Sequence, residues 1–277
     1  MANSLLGFDV RGLRSSGRVR IKLDTVVKAA HVLYDGSTRI ARLQQDETLL
    51  DVALGREFGT WSEIRVGLRG GTSEPEVETG DPPAFPLQDF DRGEALARFT
   101  LDTLDSIYFP SDGNFVRMQW VTSKRDLGAT AEFDQFLGSF LTAHSFGKNT
   151  LAFGLRYDVT TEGSAPPWGL FELGGFWDLS GYAQDELSGQ DVGRLSAGYY
   201  RRIGHGRVPL YAGFTLEKGN AWDSRDEMSI DGARGAGSLW LGADTPIGPL
   251  YVGYGRAEGD RDSFYIVIGN VVRHSTR

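Results

Sequence analysis

The sequence predicts an all-β protein, specifically an antiparallel β-barrel of the transmembrane type. Three observations predict this fold. Apolar and polar residues alternate with a period of two from Arg18 almost to the end of the chain. Glycine makes up 37 of the 277 residues, or about twice the usual share of about 7%, which suits sharp turns between strands. Finally, no window approaches the roughly 18 consecutive apolar residues of a transmembrane helix.

The alternating segments follow one another along the chain and are separated by turn signals. The clearest segments are centred on Ile21, Val66, Met118, Phe153, Phe214, Val252 and Ile266. Turn signals lie at 35–36, 111–114, 147–149, 204–206 and 259–260. They divide the chain into roughly fourteen to sixteen strands. A membrane strand needs about 9 to 11 residues, so sixteen strands would use about 160 residues and leave the rest for connections.

Longer polar stretches interrupt the alternation and are predicted to be the long loops of the barrel. They lie at 72–92, 160–170, 178–191 and 222–235. The predicted domain organisation is a leader or linker at 1–17, the barrel at 18–272 and a short tail at 273–277. Residues 1–8 lack the basic stretch and apolar core of a secretory signal.

Composition excludes several classes of function. The formal net charge of −8 argues against general nucleic-acid binding, because phosphates attract the opposite sign. The absence of cysteine removes disulfides, thiolate nucleophiles and cysteine-based zinc sites. The four histidines, at 31, 144, 205 and 274, do not stand at a metal-binding spacing. We therefore expect neither a metal nor a cofactor.

Aromatic residues near predicted strand ends suggest an interfacial girdle, in which rings with a polar edge lie at the level of the lipid headgroups. The candidates are Trp61, Trp120, Tyr157, Trp177, Trp222 and Tyr254. Packing in a core is the alternative for each of them. A soluble β-sandwich also alternates, but its strands are usually shorter, and the pattern seldom covers a whole chain. The barrel is the favoured interpretation, and a soluble β-rich binding domain stays as the alternative.

Four motifs occur in order between about Gly93 and Gly269. They are Leu-Asp-Thr-Leu-Asp-Ser at 101–106 leading to Phe109-Pro110, Phe-Glu-Leu-Gly-Gly-Phe at 171–176 with Leu-Ser-Gly-Tyr at 179–182, Leu-Glu-Lys-Gly-Asn-Ala-Trp at 216–222, and Ala-Asp-Thr-Pro-Ile-Gly-Pro-Leu-Tyr at 243–251. Together they resemble the C-terminal barrel of bacterial patatin-like phospholipases. That barrel is grouped with the BamA-type and two-partner-secretion barrels, also called bacterial surface antigen domains.

The resemblance implies a sixteen-stranded barrel in the bacterial outer membrane. In full-length relatives it follows a periplasmic module and a patatin lipase domain, so this chain would be a non-enzymatic translocator or anchor module. A lipase needs a Gly-x-Ser-x-Gly elbow, which does not occur here. The implied partners are outer-membrane lipid, the barrel-assembly machinery, a second copy of the chain and an attached patatin domain. An integral phospholipase is a weaker alternative, because the adjacent His144 and Ser145 would point to opposite faces of a strand.

The resemblance also implies a loop folded into the barrel lumen. Its candidate motif is Leu179, Ser180, Gly181 and Tyr182, and the expected strand partners are Glu217 and Gly219. The wider superfamily has an arginine where Ser180 stands, and that arginine meets an acidic residue on a late strand. With serine here, we expect hydroxyl and backbone contacts to hold the loop in place of an ion pair. An ordinary glycine-containing turn is the alternative for residues 180–182.

Overall fold

Antiparallel strands account for almost all of the regular structure. The computed structural model of the chain describes residues 6–11, 17–35, 38–80, 89–204, 206 and 208–269. The strands in these residues are β1 (Leu6–Arg11), β2 (Gly17–Asp35), β3 (Thr38–Phe58), β4 (Ser62–Gly80), β5 (Phe90–Asp102), β6 (Asp112–Ser123), β7 (Phe133–Phe146), β8 (Asn149–Gly163), β9 (Phe171–Leu173), β10 (Leu187–Gly189), β11 (Asp191–Arg202), β12 (Leu210–Trp222), β13 (Arg234–Thr245), β14 (Gly248–Ala257) and β15 (Arg261–Ile268). Single turns of 3-10 helix are found at Arg125–Leu127, Pro167–Gly169 and Arg225–Glu227.

One sheet contains 13 of these strands, arranged in the order of the chain, and β9 and β10 pair separately. The predicted all-β, antiparallel fold is confirmed. The strand number differs from the predicted sixteen within the described residues. The reason is strand length: β2, β3 and β4 have 19, 21 and 19 residues, about twice the 9 to 11 assumed for a membrane strand.

Two predicted boundaries also differ from the structure. Strand β1 lies inside the segment predicted to be a leader and pairs with β2 from Leu6↔Leu23 to Arg11↔Arg18. The predicted loop at 72–92 begins inside β4, which continues to Gly80 and pairs with β3 along its length. Residues 81–88 and the predicted tail lie outside the described residues. No helix in the described part of the chain is long and apolar enough to cross a membrane.

The chain folds as two compact units. The first consists of Met1–Thr100, Met118–Phe136 and Val159–Leu170. Its strands β3 and β4 have an exposed apolar face, which carries Leu50, Val52, Leu54, Ile64, Val66 and Leu68. On the alternate positions Arg69 lies 3.2 Å from Asp51 and 3.3 Å from Glu94, and Arg92 lies 2.8 Å from Glu47. Apolar side chains are therefore exposed on one face, while ion pairs occupy the other.

The second unit consists of Leu101–Arg117, Leu137–Asp158 and Phe171–Arg277. Its register aligns exposed apolar residues in rows across β12 to β15. One row is Phe214, Leu239, Tyr254 and Phe264. The adjacent row lies on the opposite face and contains only polar residues and glycine: Thr215, Ser238, Gly255 and Ser263. We call these two sides of the second unit the apolar face and the polar face.

Candidate functional site

The connection between β9 and β10, residues 174–186, lies on the polar face of β12 to β15; we call it the docked loop. Strands β9 and β10 pair from Leu187↔Leu173 to Gly189↔Phe171 and so bring the two ends of the loop together. Leu179 and Ser180 have no exposed surface, and Tyr182 is 1% exposed. A surface loop would leave such side chains in water, so this one is held down by specific contacts.

Glu217 on β12 provides the central contact of the docked loop. The Ser180 N–H donates to its Oε2 atom at 2.7 Å, and the Ser180 hydroxyl donates to its Oε1 atom at 3.0 Å. The Thr215 hydroxyl donates to the same Oε1 at 2.6 Å. In turn, Ser180 Oγ accepts from the Trp177 N–H at 3.2 Å. A buried carboxylate is stable only when its oxygens are hydrogen-bonded, and here both oxygens are.

Tyr265 on β15 anchors the next residues of the docked loop. Its hydroxyl accepts from the Gly181 N–H at 2.8 Å and donates to the Tyr182 carbonyl at 2.9 Å. Gly181 has a φ of +98°, and a Cβ at this position would lie 2.6 Å from the Ala257 backbone nitrogen. A Cβ at Gly255 in β14 would in turn lie 2.8 Å from the Gly181 nitrogen. Only glycine at these two positions allows the loop and the strand to come this near.

We expect Tyr265→Phe to weaken the docked loop without disturbing the apolar face. The change leaves the Gly181 N–H and the Tyr182 carbonyl without the partner they share, at a cost of about 1–3 kcal/mol of unfolding free energy. Urea unfolding of the refolded chain would measure it. Tyr254→Phe is the matched control, because Tyr254 is exposed on the apolar face of the neighbouring strand β14. Equal shifts in the two variants would contradict the assigned role of Tyr265.

Charged side chains surround both ends of the docked loop. Asp178 accepts from the Gly174 N–H and from Arg156 Nη1, each at 3.3 Å, and lies 3.5 Å from Arg194 Nε. Arg194 also donates to the Trp177 carbonyl, and Arg156 Nε donates to Asp158 at 2.6 Å. The loop start is thus tied by two arginines from strands β8 and β11.

Tyr182, the last residue of the 179–182 motif, lies between two arginines. The Arg261 guanidinium lies 4.5 Å from the centre of its ring, and Arg234 Nη1 donates to its hydroxyl at 3.1 Å. Arg261 also pairs with Glu186, whose Oε2 accepts from the Ala183 N–H at 2.7 Å. A cation over a desolvated tyrosine ring stabilises by about 2 kcal/mol. Ionic and cation–π contacts therefore hold this end of the docked loop against β13 and β15.

An aromatic cluster lies beside the docked loop and was missed by the sequence analysis as a site. Its buried members are Phe109, Phe176, Tyr200, Trp240 and Tyr251. Phe109 enters from the connection between β5 and β6 and stacks on Tyr211 at 4.2 Å. The Tyr251 hydroxyl donates to the Tyr108 carbonyl at 3.0 Å, and the Tyr200 hydroxyl donates to the Pro110 carbonyl.

The sequence does contain a signal for this aromatic cluster. Three aromatic-x-Gly triplets, at 211–213, 240–242 and 251–253, put an aromatic residue and a glycine on the same face of a strand. The register then aligns Gly213, Trp240 and Gly253 in one row, so that each ring lies over glycine. A Cβ at Gly253 would lie 2.6 Å from the Phe176 ring. Glycine here provides the space in which the cluster packs.

The connection that carries Phe109 is closed by Asp105. Its Oδ1 atom accepts from the Ser111 N–H at 2.7 Å and from the Asp112 N–H at 3.1 Å, and its Oδ2 accepts from the Ser111 hydroxyl. Desolvation alone would raise the pKa of Asp105, but these hydrogen bonds outweigh it and hold the pKa below the ordinary 3.8.

The Asp105 carboxylate should therefore stabilise the folded chain above the unfolded pKa and lose that contribution as the pH falls through the lower folded pKa. We expect wild type to be more stable than Asp105→Asn at neutral pH, with the difference shrinking below about pH 4. Unfolding midpoints measured across this range would show it. Asp226→Asn is the control, because Asp226 is exposed in a 3-10 turn elsewhere in the unit. A difference that is constant with pH would contradict the role of the carboxylate.

The structure places the predicted site residues as follows. Ser180 and Glu217 are brought together, as are Gly181 and Tyr182 with Tyr265. Gly219 lies instead against β11, where a Cβ would come within 2.7 Å of the Gly193 carbonyl oxygen. His144 Nδ1 lies 3.2 Å from Asp112, whereas the Ser145 hydroxyl bonds to Thr150 at 2.7 Å. These two residues therefore have separate partners.

Two of the six girdle candidates do not lie on an exposed face, so the girdle prediction is wrong for them. Trp177 belongs to the docked loop, and its ring centre is 4.9 Å from that of Trp240. Trp222 is 8% exposed and lies over Gly193, which leaves room for the indole. The other four are exposed, and their place in a girdle stays a prediction: Trp61, Trp120, Tyr157 and Tyr254. Among the described residues, no group of three or more histidine, aspartate or glutamate side chains is placed to hold a metal ion.

An antiparallel sheet with an exposed apolar face and a loop docked on its polar face defines the class of protein, a large all-β domain of the membrane-barrel type. The chain belongs to the Omp85 superfamily, because the model of the Omp85 superfamily domain matches residues 8–271.

Comparison with solved structures supports the fold, and 73 chains match. One of them is BamA from Haemophilus ducreyi lacking POTRA domains 1–3, with a TM-score of 0.71 and 13% sequence identity. The match covers 90% of this chain and 58% of that chain, so this chain spans little more than half of its length. At this identity the likeness shows the fold alone. No curated protein matches the sequence.

Proposed function

We propose that this chain is a non-enzymatic β-barrel of the bacterial outer membrane that serves as a translocator or anchor module. The observation that carries the proposal is the separation of the two faces of the sheet. In a barrel the apolar face would meet lipid, and the polar face would line the lumen. Every backbone group of the spanning part would be paired around the closed sheet.

The exposed rows support a lipid-facing surface. Leu241, Val252 and Ile266 are neighbours across β13, β14 and β15, and all three are exposed. A soluble protein rarely exposes a contiguous apolar patch of more than a few hundred Å². Rows of this kind in both compact units would be costly in water, but they match the hydrocarbon of a bilayer.

The docked loop supports a lumen that is regulated rather than empty. Its contacts with Glu217, Tyr265 and Arg261 all lie on the polar face. In the barrel this loop would narrow the lumen, and its movement would open a path for a passenger segment. Insertion by the barrel-assembly machinery and association with a second copy belong to the same proposal.

Refolding the chain into detergent or lipid vesicles tests the proposal. A compact band that shifts on boiling, with protease cleavage confined to the connections between strands, is the expected result. A chain that stays soluble and monomeric without detergent, and that does not insert, would contradict it. That outcome would return the soluble β-rich binding domain as the better function.

The finer part of the proposal is that the barrel serves a patatin-like phospholipase domain. Its support is the ordered series of four motifs. The motif at 101–110 lies in the connection that Asp105 holds together, and the motif at 171–182 includes the first part of the docked loop. Native protein immunoprecipitated with an antibody against this chain tests it. We expect a polypeptide heavier than 30.4 kDa that reacts with a fluorophosphonate probe for serine hydrolases. A native polypeptide that is not labelled would contradict the link to a patatin domain and leave the barrel proposal intact.

A further inference from the structure

At one end of the strands of the second unit, β7 is followed by β8 and β11 is followed by β12. We call this end the short-turn edge, and it has an unusual set of exposed side chains. Lys148, Arg201 and Arg202 are exposed there, in a chain whose net charge is −8. Phe146 and Ile203 are also exposed, at 50% and 49%. Arg201, Phe146 and Ile203 thus occur together at the end of the apolar face, while Arg202, paired across strands with Tyr211, belongs to the polar face.

The opposite ends of the strands in this unit are rich in exposed carboxylates. The connection after β12 and the turn after β14 present exposed carboxylates at Asp223, Asp226, Glu227, Asp231, Glu258 and Asp260. The one exposed arginine on the apolar face near that turn, Arg256, is paired with Asp260 at 3.1 Å. Exposed carboxylates also occur at the short-turn edge, on β5, β6 and their connection, and each has a partner of its own. Asp102 accepts from the Leu104 N–H at 3.0 Å, Asp105 accepts from the Ser111 N–H at 2.7 Å, and Asp112 lies 3.2 Å from His144 Nδ1.

Arg201 is held in place on the apolar face at the short-turn edge. Its Nη1 atom donates to Asn149 Oδ1 at 3.5 Å, and the same oxygen accepts from the Tyr199 hydroxyl at 2.7 Å. Tyr199 packs against the exposed Phe214 at 5.7 Å between ring centres. The Arg201 side chain is exposed, so its guanidinium presents donors to the surroundings beyond the one bond to Asn149.

The neighbouring turn adds a second cation. The Lys148 carbonyl accepts from the Arg202 N–H at 2.9 Å, which holds the turn between β7 and β8 beside the end of β11. The carboxylate on the apolar face of this edge, Asp112, lies 3.2 Å from His144 Nδ1. A guanidinium is suited to bidentate contact with a phosphate, and an ammonium adds a point charge beside it.

We propose that this edge binds the headgroup of an anionic glycerophospholipid, with Arg201 and Lys148 on the phosphate and Phe146 and Ile203 among the upper acyl carbons. The inference rests on the proposed membrane location. Continuity of the edge with the lipid-facing rows is what selects a lipid rather than a soluble anion. Tyr199 would lie at the level of the headgroups, where aromatic side chains with a polar tip are favoured.

Native mass spectrometry of the detergent-refolded chain, titrated with phosphatidylglycerol or phosphatidylcholine, tests the proposal. Wild type should bind phosphatidylglycerol more tightly. Arg201→Gln and Lys148→Gln should each weaken that binding about fivefold, the effect of one cation near an anionic surface. Arg256→Gln is the matched control, because it removes an exposed arginine from the apolar face at the opposite end.

Each outcome of the titration bears on the proposal. A fivefold loss in the two edge variants with no loss in Arg256→Gln supports it. Equal affinity for the two lipids, or an equal loss in Arg256→Gln, overturns it. If the chain forms a heat-modifiable band and yet shows no lipid preference, only this inference fails. If no such band forms, the proposed function fails first.

Discussion

Glu217→Ala should release the docked loop and lower the unfolding free energy by about 3–5 kcal/mol. The carboxylate accepts from the Ser180 N–H, the Ser180 hydroxyl and the Thr215 hydroxyl. Hydrogen bonds to a charged group are each worth about 1.5–3 kcal/mol, and donors left buried without a partner cost more than bonds never made. Thr215 can turn to Ser238, 2.6 Å away, so the main loss falls on Ser180.

Two measurements would separate this effect from a general loss of folding. Urea unfolding gives the change in free energy, and limited proteolysis at 174–186 reports release of the docked loop. Glu258→Ala is the control, since Glu258 is exposed and outside the loop contacts. In planar bilayers, the released loop should also raise the conductance if the polar face lines a lumen. Equal behaviour of the two variants would show that Glu217 does not hold the loop.

The sequence predicted the alternation of the faces correctly because a strand fixes which side chains share a face. It did not predict strand length, because alternation continues past any assumed span. Strands β2, β3 and β4 are therefore longer than a membrane strand was expected to be, and the described residues contain fewer strands than the predicted sixteen. The pairing of Ser180 with Glu217 was expected from motif position, and the structure places them 2.7 Å apart. What the motif did not give is the role of Tyr265, which is far along the chain.

Position near a strand end was a poor guide to the environment of an aromatic ring. Trp177 lies in the docked loop with a φ of +63°, a backbone conformation that alternation does not describe. Trp222 is covered because Gly193, on the paired strand, has no side chain. Both outcomes depend on residues distant in the sequence, so no local pattern would have revealed them. The aromatic-x-Gly triplets indicate other rings, those of Trp240 and Tyr251, which are buried.

Phe109→Ala should be the second large effect, at about 3–5 kcal/mol of unfolding free energy. Phe109 is 4% exposed and contacts Tyr211, Trp240 and Tyr251. The Phe109 ring packs directly on Gly242, where a Cβ would lie 2.7 Å from the ring. Its removal would leave a cavity, because this glycine has no side chain with which to fill the space. Ile107→Ala is the control in the same connection, since Ile107 is 63% exposed.

The Phe109 variant also tests whether the connection between β5 and β6 and the docked loop stabilise each other. Tyr251 contacts Phe109 at 5.0 Å and Trp177 of the docked loop at 5.0 Å, so loss of one ring removes support for the other. We expect Phe109→Ala to increase proteolysis at 174–186, and a double-mutant cycle with Phe176→Ala to give a coupling of about 0.5–3 kcal/mol. Additive effects, with the loop as protected as in Ile107→Ala, would mean that the segments dock independently. Coupled effects would mean that the two segments support each other through the aromatic cluster, in which Tyr251 contacts both.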